Sequence, residues 1–375
     1  MKVALGGIFE ISSGGTPSKT HAEYYDGNIP WVKTGDLKSE YLNSVDEYIT
    51  DEGLKNSSAK MYEPGTVLLA MYGATIGAAS ILTFNACTNQ ACAAFKPCKD
   101  VIPEYLYYFL LSRREKFIHD GVGGAQPNIS GRYLKQVEFE LYPINEQRFV
   151  ISVLDRVNRI ISLKKEEIKK LDELIKARFV EMFGSCVNKV LIGDVISICR
   201  GASPRPIQAY ITESLEGVNW IKIGDVSENS LYITKTAEKI TLEGAKKSRA
   251  VHAGDFILSN SMSFGRPYIL GIDGYVHDGW LILSNFRDTF NELYLYYALR
   301  NEYVQQQFHG KVNGATVKNL NSDLVKATYI QVPDMYSQKV FADFVKQIDK
   351  SKVAIQKSLA ETQLLFDKLM QDYFG

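Results

Sequence analysis

The sequence lacks a charge excess of either sign, and it is poor in cysteine and histidine. Its 375 residues include 43 Lys and Arg against 43 Asp and Glu, with five cysteines and five histidines. The cysteines are odd in number and have no CxxC spacing, so neither a disulfide framework nor a zinc site is indicated. The 45% hydrophobic content is ordinary for a globular protein with two or three cores.

Motifs that carry chemistry are also missing. The sequence has no Asn-Pro-Pro-Tyr or Asp-Pro-Pro-Tyr methyltransferase box, no GxxxxGK[ST] phosphate loop, no HExxH and no GxSxG. A stand-alone nuclease or methyltransferase would need a catalytic constellation of this kind. The histidines are scattered and do not recur in equivalent places, so we interpret all of them as structural: His21, His119, His252, His277 and His309. We therefore predict no catalytic residues and no metal ligands.

Targeting and membrane segments are not apparent either. Met1-Lys2 is not followed by an apolar run and a small-residue cleavage site, which predicts a cytoplasmic protein. Residues 64–95 contain no charge, but glycines and amides interrupt them, and the equivalent later segment carries Asp255 and Arg266. Buried strands joined by glycine turns explain this segment better than a membrane span.

What the sequence does contain is an internal repeat at an offset of about 189 residues. Residues 29–37 (IPWVKTGDL) match residues 218–226 (VNWIKIGDV), and seven further matches keep the same order. The period is far longer than that of solenoid repeats, so each copy is predicted to be a domain followed by a helix. The further matches are 15–18 with 202–205, 64–65 with 253–254, 77–82 with 265–270, 105–108 with 294–297, 124–125 with 314–315, Pro143 with Pro333, and 183–184 with 374–375.

The first part of each copy is rich in β-branched and aromatic residues punctuated by turns such as Asp26-Gly27. Residues 67–70 and 256–258 are predicted core strands, whereas 104–116 and 292–306 are predicted amphipathic helices. The fold class expected for each globular unit is therefore α+β.

Each copy ends in a helix pattern of about 38 residues with apolar side chains in two heptad rows. Eight of the ten row positions are apolar in each helix, and Lys164, Arg178, Lys352 and Thr362 are the exceptions. The rows are 150, 157, 164, 171 and 178 with 154, 161, 168, 175 and 182, and then 341, 348, 355, 362 and 369 with 345, 352, 359, 366 and 373.

Narrow two-row stripes favour a coiled coil, although each helix could instead lie on its own domain. Because a globular domain separates the helices along the chain, we expect them to pair antiparallel. Two similar α/β recognition domains would then lie at opposite ends of an antiparallel two-helix coiled coil, related by a pseudo-twofold axis. The predicted division is 1–145 for the first domain, 146–184 for the first helix, 185–336 for the second domain and 337–375 for the second helix.

Over its whole length the sequence resembles the specificity subunits of type I restriction-modification systems. No single motif is decisive. The motifs occur in the order found in a target recognition domain, and each set of motifs is followed by a heptad helix that resembles the spacer helix. The second copy diverges, with residues 314–320 (GATVKNL) in place of the QPNIS box. The motifs that carry the resemblance are 14–18 (GGTPS), 29–37, 73–77 (GATIG), 89–92 (NQAC) and 123–130 (GGAQPNIS).

The resemblance implies that each recognition domain reads one half of a split sequence in double-stranded DNA while the helices set the gap. It also implies two partner modification subunits, which carry S-adenosylmethionine and methylate adenine, and restriction subunits that can join them. This chain would hold no cofactor and perform no chemistry of its own. A non-catalytic protein-interaction scaffold without DNA specificity is the alternative, and it would fail to co-purify with a methyltransferase.

Charge distribution argues against strong DNA binding by the chain alone. Residues 1–145 carry 13 Lys and Arg against 16 Asp and Glu, a net of 13 − 16 = −3, and residues 185–336 carry 15 of each. Phosphate attraction normally appears as a basic surplus. We therefore expect positive charge to be concentrated on one face of each domain, and most phosphate contacts to come from partner subunits.

Candidate DNA-contacting residues are polar or basic side chains in predicted loops, because these can pair with base edges or phosphates. Residues shared by the copies are poor candidates for discrimination; Trp31 and Trp220 are predicted core anchors, and Asp36 and Asp225 are predicted to fasten a loop. The candidates are Lys19, Lys33, Tyr72, Thr75, Gln90, Gln126, Asn128 and Arg132 in the first copy, and Arg205, Lys222, Asn260, Ser261, Arg266, Lys318 and Asn319 in the second.

Overall fold

The computed structural model describes residues 1–121, 128–226, 231–260, 264–310 and 320–375. The chain packs as two units, one formed by Met1–Glu166 with Gln356–Gly375 and the other by Glu167–Ile355. Each unit therefore contains one globular part together with a segment of each long helix.

The first copy of the repeat contains eleven strands and six α-helices among its described residues. The strands are β1 (Lys2–Ala4), β2 (Ile11–Ser13), β3 (Tyr25–Val32), β4 (Tyr41–Leu42), β5 (Tyr48–Ile49), β6 (Met61–Tyr62), β7 (Val67–Ala70), β8 (Ala79–Leu82), β9 (Ala86–Thr88), β10 (Cys92–Phe95) and β11 (Glu138–Glu140). The helices are α1 (Leu5–Ile8), α2 (Asp51–Lys55), α3 (Pro103–Ser112), α4 (Arg114–Asp120), α5 (Gly131–Gln136) and the long α6 (Ile144–Phe183).

The second copy contains twelve strands and six α-helices in the part of it that is described. The strands are β12 (Lys189–Leu191), β13 (Ser197–Arg200), β14 (Ile211–Thr212), β15 (Val218–Ile221), β16 (Tyr232–Ile233), β17 (Glu238–Ile240), β18 (Arg249–Val251), β19 (Phe256–Ser259), β20 (Pro267–Leu270), β21 (Gly274–Val276), β22 (Trp280–Ser284) and β23 (Tyr329–Gln331). The helices are α7 (Ile192–Val195), α8 (Leu242–Ala245), α9 (Glu292–Arg300), α10 (Glu302–Gly310), α11 (Ser322–Lys326) and the long α12 (Met335–Phe374).

The sheets of the two copies have the same topology. A five-stranded sheet has the order β2-β10-β7-β8-β4 in the first unit and β13-β22-β19-β20-β16 in the second. A second sheet has the order β5-β3-β9-β6, which recurs as β17-β15-β21-β18 with β14 added at one edge. The pair β1-β11 recurs as β12-β23. The α+β prediction is confirmed, and the sequence repeat is a repeat of fold.

The uncharged segment 64–95 forms the centre of the first unit. Strands β7, β8, β9 and β10 are buried at every residue. Gly65, Gly73 and Gly77 have φ values of 86°, 66° and 78°, a conformation that side chains resist, so the turns between strands require glycine. The prediction of buried strands and glycine turns is confirmed. Among the described residues, no helix is long and apolar enough to cross a membrane.

The residues shared by the copies hold the fold, as predicted. Trp31 and Trp220 are only 3% and 2% exposed. The carboxylate of Asp36 accepts a hydrogen bond from the backbone N–H of Lys33 at 2.8 Å, and Asp225 accepts one from Lys222 at 2.7 Å. Both aspartates thus fasten the short turn that follows the tryptophan strand.

The two amphipathic helices predicted at 104–116 and 292–306 are each broken in two, so those predictions were wrong in extent. Arg113 lies between α3 and α4, with φ −91° and ψ 2°. Asn301 lies between α9 and α10 in an extended conformation, and its side chain accepts a hydrogen bond from the Tyr303 N–H at 2.9 Å. Asparagine favours such a cap over a helix interior because its side chain competes for backbone groups.

The long helices meet in antiparallel orientation within each unit. In the first unit, Leu154 near the start of α6 shares a core with Met370 and Phe374 at the end of α12. In the second unit, Phe179 near the end of α6 shares a core with Phe341 near the start of α12. The predicted antiparallel pairing is therefore present in both cores.

Polar residues in the heptad rows have partners on the facing helix. The Lys164 ammonium donates a hydrogen bond to the Ser358 hydroxyl in the first unit. The Lys352 ammonium lies 2.6 Å from the carboxylate of Asp172 in the second unit. These pairs explain why two of the four polar exceptions in the heptad pattern are tolerated.

A buried glutamine attaches each long helix to its globular part. The Gln147 amide accepts a hydrogen bond from the Ile102 N–H at 2.9 Å and donates to the Asp100 and Tyr142 carbonyls at 2.9 and 2.8 Å. Gln338 has the same set of bonds, accepting from Asn291 and donating to Thr289 and Pro333. Both glutamines are fully buried. Since a buried amide must be hydrogen-bonded, this arrangement fixes where each helix starts.

Candidate nucleic-acid interface

In the first unit, loops from distant parts of the sequence meet beside the end of β7. The Met71 N–H donates to the Ala91 carbonyl at 2.8 Å, and the Ile129 N–H donates to the Met71 carbonyl at 3.0 Å. Tyr72 and Asn128 form an isolated antiparallel bridge. We call this region the first loop cluster, formed by residues 14–16, 71–75, 89–91 and 128–129. It brings together the candidates Tyr72, Thr75, Gln90 and Asn128.

Gln90 is exposed but held in place within the first loop cluster. Its side-chain oxygen accepts a hydrogen bond from the Thr16 hydroxyl. The neighbouring Gly15 N–H donates to the Thr88 carbonyl at 2.9 Å, which fixes the loop that presents Thr16. Gln90 is therefore an oriented amide at the surface, and a glutamine amide can pair with adenine in the DNA major groove.

The second unit has the same arrangement with different side chains. The Asn260 N–H donates to the Gly279 carbonyl at 3.1 Å, and the Leu320 N–H donates to the Asn260 carbonyl at 2.8 Å. Asn260 thus occupies the place of Met71 and is only 5% exposed. Its side-chain amide donates to the Asp278 carbonyl at 2.9 Å, so it supports the loop from within. We call residues 201–205, 260, 277–279 and 320 the second loop cluster.

Asp278 occupies in the second loop cluster the place that Gln90 occupies in the first. The Ser203 hydroxyl donates to its carboxylate at 2.7 Å, as Thr16 does to Gln90. An Arg205 guanidinium nitrogen lies 3.4 Å from the same carboxylate. The Ser203 hydrogen bond lowers the pKa of Asp278, and the positive charges of Arg200 and Arg205 lower it further, so the group is ionised at neutral pH.

Sequence reasoning missed Asp278, although a signal was available. Continuing the alignment of 77–82 with 265–270 at the same offset pairs 89–92 (NQAC) with 277–280 (HDGW), which places Asp278 opposite Gln90. These tetrapeptides differ at every position, and their equivalence is shown by the matching hydrogen bonds from Thr16 and Ser203.

A cleft of about 690 Å³ lies beside the second loop cluster. It combines the cationic side chains of Arg205 and Lys222 with a largely apolar wall. Burial lowers the pKa of His277, so this ring contributes no charge at neutral pH. The lining residues are Ser203, Pro204, Arg205, Pro206, Ile207, Trp220, Lys222 and His277.

Two predicted DNA-contacting lysines are paired with carboxylates at equivalent places. The Lys33 ammonium contacts Glu47, and the Lys222 ammonium contacts Glu238. The hydrogen bond to Glu47 raises the pKa of Lys33. Because the pair is the same in both units, it is a poor candidate for distinguishing two different half-sites, and contact of either lysine with DNA stays a prediction.

The remaining candidates are dispersed or lie outside the described residues. Lys19 and Arg132 are exposed, Arg132 on α5. The Thr75 hydroxyl donates to the Tyr72 carbonyl at 3.2 Å, and Arg266 is half-buried. Gln126, Ser261, Lys318 and Asn319 fall outside the described ranges. Contact with DNA stays a prediction for every candidate.

Changing Gly201 to alanine should destabilise the second loop cluster. A Cβ atom on Gly201 would lie 2.1 Å from the His277 carbonyl oxygen, so the loop that carries Ser203 must move away from residues 277–278. We expect a loss of about 1–3 kcal/mol in unfolding free energy, measured by urea denaturation. Gly224→Ala is the matched control because its Cβ would meet nothing within 4 Å. Equal stability of the two variants would contradict the packing described.

Comparison with known proteins shows the family of this chain. Residues 1–173 and 186–363 each match the family model of the type I restriction modification DNA specificity domain. The chain is 24% identical to the MjaIX type I restriction enzyme specificity subunit of Methanocaldococcus jannaschii, over 97% of this chain and 90% of that protein.

Solved structures show the same fold. One chain, from a study of complex assembly and conformational transition of the type I R-M system, superposes with a TM-score of 0.68 at 17% identity, covering 100% of this chain and 97% of that one. The S subunit of a type I restriction-modification system from M. genitalium superposes with a TM-score of 0.53 at 15% identity, covering 100% and 96%.

Two matches to the specificity-domain model define a two-domain specificity protein, of a family that is non-catalytic. The chain belongs to the type I restriction-modification DNA specificity family, and its role is DNA sequence specificity. The alternative of a scaffold without DNA specificity is not supported. The fold class predicted from the repeat is confirmed by the shared fold.

Proposed function

We propose that each globular part reads one half of a bipartite DNA sequence, with residues 1–145 and 185–336 as the two recognition domains. The observation that carries this proposal is the pair of equivalent loop clusters. The same backbone frame presents Gln90, held by Thr16, in one unit and Asp278, held by Ser203, in the other. The Gln90 amide in one unit and the Asp278 carboxylate with its partner Arg205 in the other offer different hydrogen-bonding groups to base edges, so equivalent places can read different bases.

We further propose that the long helices set the gap between the half-sites and bind two modification subunits. Several large apolar side chains on these helices are exposed, including Phe149, Leu163, Val353 and Leu364 at 62%, 53%, 65% and 69%. A contiguous exposed apolar patch marks a protein-binding surface, and we propose that these side chains belong to such patches. The modification subunits would supply S-adenosylmethionine and adenine methylation in the cytoplasm, restriction subunits could join, and this chain would supply no chemistry.

The net charge of the globular parts supports the proposal that DNA binding depends on the modification subunits. The net charge of −3 over residues 1–145 and zero over 185–336 offers little general attraction to phosphate. The chain alone is therefore expected to bind DNA weakly and with little sequence preference. Adding modification subunits should create specific binding, and tight, specific binding by the isolated chain would contradict this part of the proposal.

Mapping methylated adenines tests the proposed function. The chain is co-expressed with its cognate modification subunit, and methylation is mapped across a genome. We expect a bipartite motif with a fixed gap, absent from cells that express the modification subunit alone. Methylation that does not depend on this chain, or a continuous motif, would overturn the proposal.

A further inference from the structure

Asp278 is held by several hydrogen bonds, although the residue is only half-buried. The Ser203 hydroxyl donates to one carboxylate oxygen at 2.7 Å and accepts a bond from the Asp278 N–H at 3.2 Å. The Asp278 carbonyl accepts bonds from the Asn260 amide at 2.9 Å and the Arg200 Nε at 2.8 Å. Backbone and side chain are both held, so the second carboxylate oxygen has a defined position.

That second oxygen, Oδ2, faces Arg205. An Arg205 guanidinium nitrogen lies 3.4 Å from it, while the Arg205 side chain is 81% exposed. An exposed arginine normally samples many rotamers. Pairing with a rigid carboxylate restricts these rotamers and leaves most of the guanidinium accessible. Arg200 also lies near Oδ2, at 3.9 Å, but its Nε is bonded to the backbone carbonyl of Asp278.

We infer that Asp278 is a positioning residue that orients Arg205 to read a guanine in the half-site bound by the second unit. This inference rests on the proposed function. The donors of a guanidinium match the O6 and N7 acceptors of guanine, which is the commonest specific contact in the major groove. A carboxylate beside the arginine also disfavours a phosphate as its partner, because two anions would then share one cation.

The first unit lacks this pair. Ser18 aligns with Arg205, and Gln90 stands where Asp278 stands. Among the described residues of the first unit, no arginine therefore stands at the place of Arg205. Substituting Arg205 or Asp278 should therefore affect only one half-site. This distinguishes a role in base reading from a general loss of DNA affinity, which would affect both half-sites.

The test compares methylation motifs produced by complete complexes of the chain with its modification subunits. Arg205→Ala removes the reader, and Asp278→Asn keeps an oxygen for Ser203 but removes the charge that holds Arg205. We expect the parent motif to contain a guanine in the second unit's half-site. Both variants should lower the preference for that guanine at least about tenfold and leave the other positions unchanged.

Asp323→Asn is the matched control, because it neutralises an exposed ion pair with Lys326 in the same unit. It should leave the motif unchanged. Because Arg205 is 81% exposed, the alanine variant should fold even if Asp278→Asn does not, and melting temperatures check both. Three results would overturn this inference but not the proposed function. They are a guanine preference that persists in Arg205→Ala, a guanine preference that persists in a folded Asp278→Asn, and a parent half-site that contains no guanine. A parent complex without any bipartite motif would overturn the proposed function itself.

Discussion

Replacing Phe341 with alanine should cost about 3–5 kcal/mol of unfolding free energy in the second unit. Phe341 is fully buried, and its ring lies 5.4 Å from that of Phe179, 5.6 Å from Phe183 and 5.5 Å from Tyr297, measured between centroids. It therefore joins both long helices to the globular core of this unit. A loss of this size is a large fraction of the ~5–15 kcal/mol that stabilises a typical domain.

Urea unfolding followed by circular dichroism measures this loss. Phe149→Ala is the matched control: the same residue type lies on a long helix but is 62% exposed, so its removal should change stability by about 0.5 kcal/mol or less. A change below about 1 kcal/mol in Phe341→Ala would show that the aromatic cluster does not hold the helices. Phe149→Ala should weaken co-purification with a modification subunit if it lies in the proposed docking surface.

The fold was predictable where the sequence pattern is set by burial. The heptad rows predicted both long helices because apolar side chains must face a partner at every turn, and Ile175 and Phe341 are indeed fully buried. Lys164 and Lys352 are exceptions to the heptad pattern that the sequence does not explain. Their partners, Ser358 and Asp172, are distant in sequence and lie close only when the helices pair. The helix ends at Arg113 and Asn301 could not be predicted, because the amphipathic periodicity of the sequence continues across both residues.

The interface was less predictable because its geometry depends on contacts between distant residues. Gln90 and Asn128 were named from residue type alone, and only the fold brings them to one place. Asn260 is of a residue type that can pair with base edges. It is buried in this structure, however, and its side chain supports a loop. Asp278 is hard to recognise from the sequence because its segment, 277–280, differs from the equivalent segment 89–92 at every position.

Exchanging residues 1–145 for the corresponding domain of another specificity subunit should replace one half of the methylated motif and leave the other half intact. The reason is structural: the first loop cluster is built entirely within this stretch, from residues 14–16, 71–75, 89–91 and 128–129. The buried amide of Gln147 lies just beyond the exchange point and bonds back to Ile102 and Asp100. The incoming domain must therefore supply the equivalent backbone groups.

Methylation mapping of the chimeric complex reads the result directly, because an exchanged half-motif changes every modified site in the genome. A chimera with Gln147→Leu serves as the control for docking of the domain, since it loses the bonds that fix the helix start but keeps every residue of the incoming loop cluster. We expect this control to lose stability while any remaining methylation keeps the new half-motif. If the exchange alters both halves, or alters only the gap, then base reading is shared between the units, and the equivalence of Gln90 and Asp278 is one of fold alone.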